Sequence, residues 1–298
     1  MESFVATTFN NSITGTGGVT FVGLGNNVAT RLNANNTFAG PTVVRDSFVV
    51  LDTADGTLSA SPVVDVAGIF AVESVNGVND KRFAPTAQLI SRGARIGFGA
   101  NAALNSTHDV PRLTAESGRT ELLLTGAAGT VNTVAVGALE RENRATLFLR
   151  GVSNAVSDAP TIVTAQSGAV AVGGLGGAGS TNQPIVPWMI ANTDPNQFNL
   201  NNTFVTHDPS TGRLRPLSVA TEYATNLATA QPTDTVRLAP AVGGAANPLL
   251  VPAGGVTVNS LIVANQAGIG NALTVSGADP IRITSGALTV TPTNTLNS

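Results

Sequence analysis

Val256-Thr257-Val258-Asn259-Ser260-Leu261-Ile262-Val263 sets apolar side chains against Thr, Asn and Ser at nearly every second position. That period belongs to a strand with one buried face, since successive side chains point to opposite sides. A Gly/Asn turn follows at Gly268 to Asn271, then Ala272-Leu273-Thr274-Val275-Ser276, and a turn at Gly277 to Pro280. Ile281-Arg282-Ile283-Thr284 and Gly286-Ala287-Leu288-Thr289-Val290 continue the rhythm. Working outward, the same pattern recurs at Thr120-Glu121-Leu122-Leu123-Leu124-Thr125, Thr133-Val134-Ala135-Val136 and Ala145-Thr146-Leu147-Phe148-Leu149-Arg150. It recurs again near the start, at Gly18 to Val22, Thr42 to Val44 and Ser47 to Leu51. Helical periodicity is weak, because Gly, Pro, Asn and β-branched residues interrupt most stretches of helix length.

Short strands joined by Gly, Asn, Asp and Pro at regular spacing suit a sandwich, a barrel or a solenoid. The pattern persists over nearly the whole chain of 298 residues, which favours the solenoid. Small residues at the corners point the same way, since stacked coils bring backbones close there. The fold expected is all-β, a right-handed parallel β-helix with a loop-rich insert. With about 20–25 residues per coil the chain holds about a dozen coils, a rod of order 60 Å at roughly 4.8 Å per coil. Residues 1–180 read as one solenoid stretch and 238–298 as a second, continuing to an open end. Between them, 181–237 read as an irregular insert carrying Pro184, Pro187, Pro195, Pro209 and Pro216 and the only Trp and Tyr, Trp188 and Tyr223. The low-complexity run Gly173 to Gly179 just before it reads as a flexible connection.

Composition agrees. Aromatics are 4% and charged residues 11%, against roughly 25% charged in ordinary domains. The 42% of hydrophobic residues still suffices for a core, built here from small and β-branched side chains. Lys81 is the only lysine, and the net charge of −3 gives no electrostatic reason to expect nucleic acid. No apolar run reaches about 18 residues, so no transmembrane helix is expected. The absence of cysteine excludes thiol catalysis and cysteine metal sites, and a solenoid closes its core by repetition without staples. Met1-Glu2-Ser3-Phe4-Val5 has no basic-then-apolar export pattern; the expectation is a portion of a longer exported chain.

Two stretches carry a resemblance. Gly15-Thr16-Gly17-Gly18-Val19-Thr20 is followed by Leu32 to Val44, in which Asn36-Thr37-Phe38-Ala39-Gly40 fills a turn and Thr42-Val43-Val44 a strand. This resembles the autotransporter-associated β-strand repeat. Thr257 to Leu261 with Ile281 to Asn294 is similar to the passenger regions of giant bacterial surface proteins that carry such repeats, as are Pro187-Trp188 and Phe204 to Pro209. The resemblance spans about half the chain in short, degenerate motifs. It implies an extracellular parallel β-helix with structural, adhesive or spacer duty, and it carries over no catalytic residue. No membrane barrel segment of the usual architecture follows here.

The chemical candidates are sparse. Gly174-Leu175-Gly176-Gly177-Ala178-Gly179 matches G-x-G-x-x-G, but Ser180 to Pro184 does not open the helix that a dinucleotide site needs. His108-Asp109 and His207-Asp208 hold the only histidines; adjacent side chains on a strand point apart, and their Asn/Ser/Thr/Pro surroundings read as solvated turns. Asp52 with Asp55 and Glu140 with Glu142 are the tightest carboxylate pairs, and Glu140-Arg141-Glu142-Asn143-Arg144 reads as a charged turn. Neither D-x-D-x-D-G nor G-G-x-G-x-D calcium repeats occur.

No catalytic residue, metal ligand or cofactor is therefore expected. The reading is an extracellular structural surface protein forming a rod, fibre or layer, a homo-oligomer or filament joined through solenoid ends or faces. A surface glycan is a further expected partner. The candidate interaction insert centres on Trp188, His207, Asp208 and Tyr223. The rival is a polysaccharide-binding or polysaccharide-degrading β-helix protein, which a groove with converging Asp, Glu, Arg and an aromatic would favour.

Overall fold

The computed structural model describes residues 6–23, 28–196, 202–239, 249–264 and 275–291. Among them there is no helix, and the strands stack in parallel as a β-solenoid of about 10 turns. The expected turn at Gly268 to Asn271, and Ala272 to Thr274 of the strand after it, lie outside the described residues. Two compact units divide the chain: residues 1–169 with 208–215, and residues 170–207 with 216–298.

The first unit begins with β1 (Thr7–Phe9), β2 (Val19–Val22), β3 (Ala29–Leu32), β4 (Asn35–Asn36), β5 (Thr42–Leu51), β6 (Thr57–Leu58) and β7 (Val63–Glu73). It continues with β8 (Gln88–Arg92), β9 (Arg95–Gly99), β10 (Ser106–Ser117), β11 (Arg119–Leu124), β12 (Asn132–Arg141), β13 (Thr146–Arg150) and β14 (Thr161–Ser167). The long strands turn a corner halfway. Val63–Val66 of β7 pairs with β8, whereas Ile69–Glu73 pairs with β9, both parallel. Gly118, with φ of +65°, turns the same corner between β10 and β11, in a backbone region that side chains with a Cβ rarely adopt.

Parallel register partners lie between 19 residues apart, as Ala29 and Phe48, and 29 apart, as Asn132 and Thr161. Like residues therefore stack in columns. Val64, Leu89, Leu113 and Leu139 form one internal column, and Phe70, Ile96, Leu122 and Leu149 another, none more than 2% exposed. At roughly 1.5–3 kcal/mol for each large side chain removed from water, such columns supply the main favourable term. Leu51, Leu32 and Phe9 form a third column, but exposure rises from 0% at Leu51 and Leu32 to 40% at Phe9. Among the described residues this column ends at β1.

The second unit holds β15 (Val172–Gly173), β16 (Pro184–Ile185), β17 (Met189–Asn192) and β18 (Thr203–Asp208), the last contributing Asp208 to the first unit. β19 (Arg213–Pro216) likewise bridges the division, and β20 (Thr235–Leu238), β21 (Leu249–Leu250) and β22 (Val256–Val258) follow. β23 (Ser260–Ala264), β24 (Val275–Ser276), β25 (Ile281–Ile283) and β26 (Leu288–Thr291) complete it. Solenoid pairing returns in β20–β23–β26, β21–β24 and β22–β25, all parallel. Between Pro184 and Pro216 the pairing is short and antiparallel, as in β15–β16 and β17–β18. Prolines lack the N–H that a long parallel ladder requires. The column Val236, Leu261, Leu288 runs from 0% through 4% to 56% exposed and ends at β26 among the described residues.

Candidate functional site

Ion pairs in the first unit bridge successive coils. Arg31 meets Asp52 at 2.7 Å, Arg45 meets Asp65 at 2.8 Å, and Arg92 joins Asp65 at 3.0 Å and also Glu116. Arg95 meets Glu121 at 3.1 Å, and Arg150 reaches the same carboxylate from the next coil. Most of these guanidinium groups are partly solvated and each such pair contributes about 0–1 kcal/mol. Arg150 and Glu121 differ, with side chains only 5% and 6% exposed.

Arg82 is wholly buried and donates to the carbonyls of Thr53, Gly56, Glu73, Gly77 and Asn79. Burial lowers its pKa, against the pull of Asp52 and Asp55. One guanidinium thus satisfies a ring of carbonyls at a turn that would otherwise be orphaned. The sequence reading did not single it out, because nothing around Lys81-Arg82 distinguishes a buried arginine from a solvated one.

A hollow of about 330 Å³ brings together Arg31, Phe48, Asp52 and Glu73, the residue types expected of a carbohydrate-active cleft. Its carboxyls are tuned apart. Burial pushes Asp52 up, but hydrogen bonds from Asn76, the Thr53 N–H and Arg31 outweigh it and hold the group below the usual carboxylate range. Burial, aided by Asp52, raises Glu73. Both Asp52 oxygens are engaged, Oδ2 by Arg31 and Oδ1 by Thr53 and Asn76, which makes this carboxylate a clasp for the corner and a poor proton acceptor.

His108 corrects the expectation of a solvated turn. It lies within β10, is 1% exposed, and stacks in the column His108, Val134, Val163 with its ring 5.0 Å from that of Phe98. Burial, with Arg82 nearby, lowers its pKa to about 4. Asn105-Ser106-Thr107 continues the strand alternation, so His108 and Val110 face inward and Thr107 and Asp109 outward. The two side chains point apart as expected.

Asp109 lines a groove of about 540 Å³ with Lys81, Pro85, Pro111, Gly137 and Gln166. Burial and Asp80 raise its pKa, opposed by Lys81. A Cβ on Gly137 would sit 2.5 Å from the Pro111 carbonyl, so glycine keeps this floor low. Unlike the arginines above, Lys81, Asp109 and Gln166 make no side-chain hydrogen bond or ion pair among the described residues. No group of three metal-ligating side chains occurs among the described residues.

The residues of the candidate interaction insert differ in burial. Tyr223 is core, 6% exposed among Ile185, Phe204 and Leu217, its hydroxyl accepting from the Phe204 N–H and bonded to Thr203. Trp188 and His207 are half-buried. Asp208 is exposed and accepts from the Ser210 and Thr211 hydroxyls and the Ser210 N–H, which hold it down to about 2. The Gly173 to Gly179 run is anchored by Gly176 N–H to the Asn182 carbonyl and by Gly179 N–H to Glu222. Glu140 to Arg144 forms the end of β12 and the turn into β13. No family model, curated protein or solved structure matches the chain.

Proposed function

We propose that the chain is a structural surface protein acting outside the cell, a β-solenoid that associates head-to-tail with further copies into a fibre or layer. The observation that carries this reading is the pair of columns whose outermost described side chain is exposed, Leu51–Leu32–Phe9 in the first unit and Val236–Leu261–Leu288 in the second. Each presents apolar side chains and a parallel strand edge, β1 or β26, with an unpaired side among the described residues. Such an edge templates a further strand, and two unlike ends that meet make a heterologous contact, which propagates. Coil-bridging ion pairs and the Arg82 clasp support a role in which side chains hold the stack together. The extracellular placement rests on the repeat resemblance and on a surface with one lysine and few charges.

Protease shaving of intact source cells tests the location. Fragments of this chain are expected in the released peptides, before any from abundant internal proteins; release only after lysis would overturn the placement.

A further inference from the structure

The geometry points to a binding groove for an extended neutral polysaccharide along the face that carries Lys81, Asp109 and Gln166. The groove is independent of the strand ends, so this inference and the assembly above fail separately.

Its floor is made of side chains from successive coils. Asp109 stands in register with Ala135, and Pro111 and Gly137 occupy the next outward positions, with Gln166 on the coil after. Lys81 and Pro85 belong to the coil before, where the Asp80 carbonyl accepts from the Asp109 N–H. Four coils give three steps of about 4.8 Å, an aligned trough of roughly 14 Å. A ligand that fills it must be extended and repeat on that scale. The volume of about 540 Å³ lies in the usual range for ligand sites, roughly 300–1,000 Å³.

The ligand's chemistry follows from the rim. Several arginines of this unit are paired with carboxylates, yet here an ammonium, a carboxylate and an amide make no side-chain hydrogen bond or ion pair among the described residues. Together they offer donors and acceptors, the requirement for hydroxyl groups that both give and take hydrogen bonds. With Lys81 opposed by Asp109 and nearby Asp80, the rim has no excess positive charge to attract a polyanion. Pro85 and Pro111 supply apolar faces for the carbon-bound hydrogens of sugar rings. A peptide is disfavoured, because the floor is a sheet face whose backbone groups already pair along the stack, leaving no edge to extend.

The test uses the whole chain with cellohexaose, chitohexaose and hexagalacturonate in titration calorimetry. At least one neutral hexamer is expected to bind more tightly than hexagalacturonate. Lys81→Met, Asp109→Ala and Gln166→Ala each remove an outward group and are expected to weaken that binding about tenfold, with unchanged circular dichroism. Absence of binding by both neutral hexamers, preference for the galacturonate, or variants that bind as the parent does would each overturn the proposal.

Discussion

Among single residues, His108 shows how far a local reading reaches. Its neighbours in the sequence are polar and turn-like, yet its place in the column with Val134 and Val163 is decided by partners 26 and more residues away. A burial-lowered pKa has a definite consequence for stability. The unfolded imidazole takes a proton near pH 6.5 and the folded one only near 4. Stability from this group is intact above pH 6.5 and is lost as pH falls towards 4, by about 3 kcal/mol in all. Glu73 and Asp109, both raised by burial, act in the opposite sense at the acid end of that window. The difference between parent and His108→Leu isolates the histidine. Urea titrations at intervals from pH 7 to 4 should show the parent losing stability relative to the variant; parallel curves would contradict the burial of a neutral imidazole. Arg82 was not legible at all, because the carbonyls it collects come from turns whose approach no local pattern reveals. Lys81 and Asp109 were each visible as residues, but the coil register that sets them on one groove was not.

Strand existence was the most legible feature of the elements. The alternation at Thr120–Thr125, Thr133–Val136 and Ala145–Arg150 corresponds to β11, β12 and β13, because one buried face enforces a period of two. Strand length was less legible: β5, β7, β10 and β12 run through a corner where the alternation shifts, and a pattern search cuts them in two. Short antiparallel pairing occurs among the prolines between Pro184 and Pro216, and Tyr223, read with the 181–237 insert, is a core residue of its unit. Links between elements also carry unequal weight. Most coil-bridging ion pairs sit partly in water, but Arg150 and Glu121 tie β13 to β11 out of solvent. Arg150→Met leaves Glu121 with the partly solvated Arg95 as its counter-charge, and should destabilise the first unit by about 1.5–3 kcal/mol. Arg112→Met, whose pair with Glu140 is 3.6 Å long and half-exposed, should change stability by less than about 1 kcal/mol. Equal losses in chemical denaturation would mean that burial does not rank these bridges.

For the molecule as a whole, repetition explains both the economy of the sequence and the exposed apolar side chains of the outermost described strands. Each coil buries its apolar side only against the coils above and below, so any terminal coil exposes a core unless something caps it. Phe9 at one such place and Leu288 at the other are 40% and 56% exposed, in columns whose other members are buried, and Val290 beside Leu288 is 64% exposed. An account in which these ends join copies of the chain makes association depend on concentration and on those side chains. Sedimentation velocity over a hundredfold range of protein concentration measures this directly. The parent should shift to progressively larger species as concentration rises, while Leu288→Lys combined with Val290→Lys stays at a single slow boundary. A parent that sediments as one monodisperse monomer across the whole range would contradict the account.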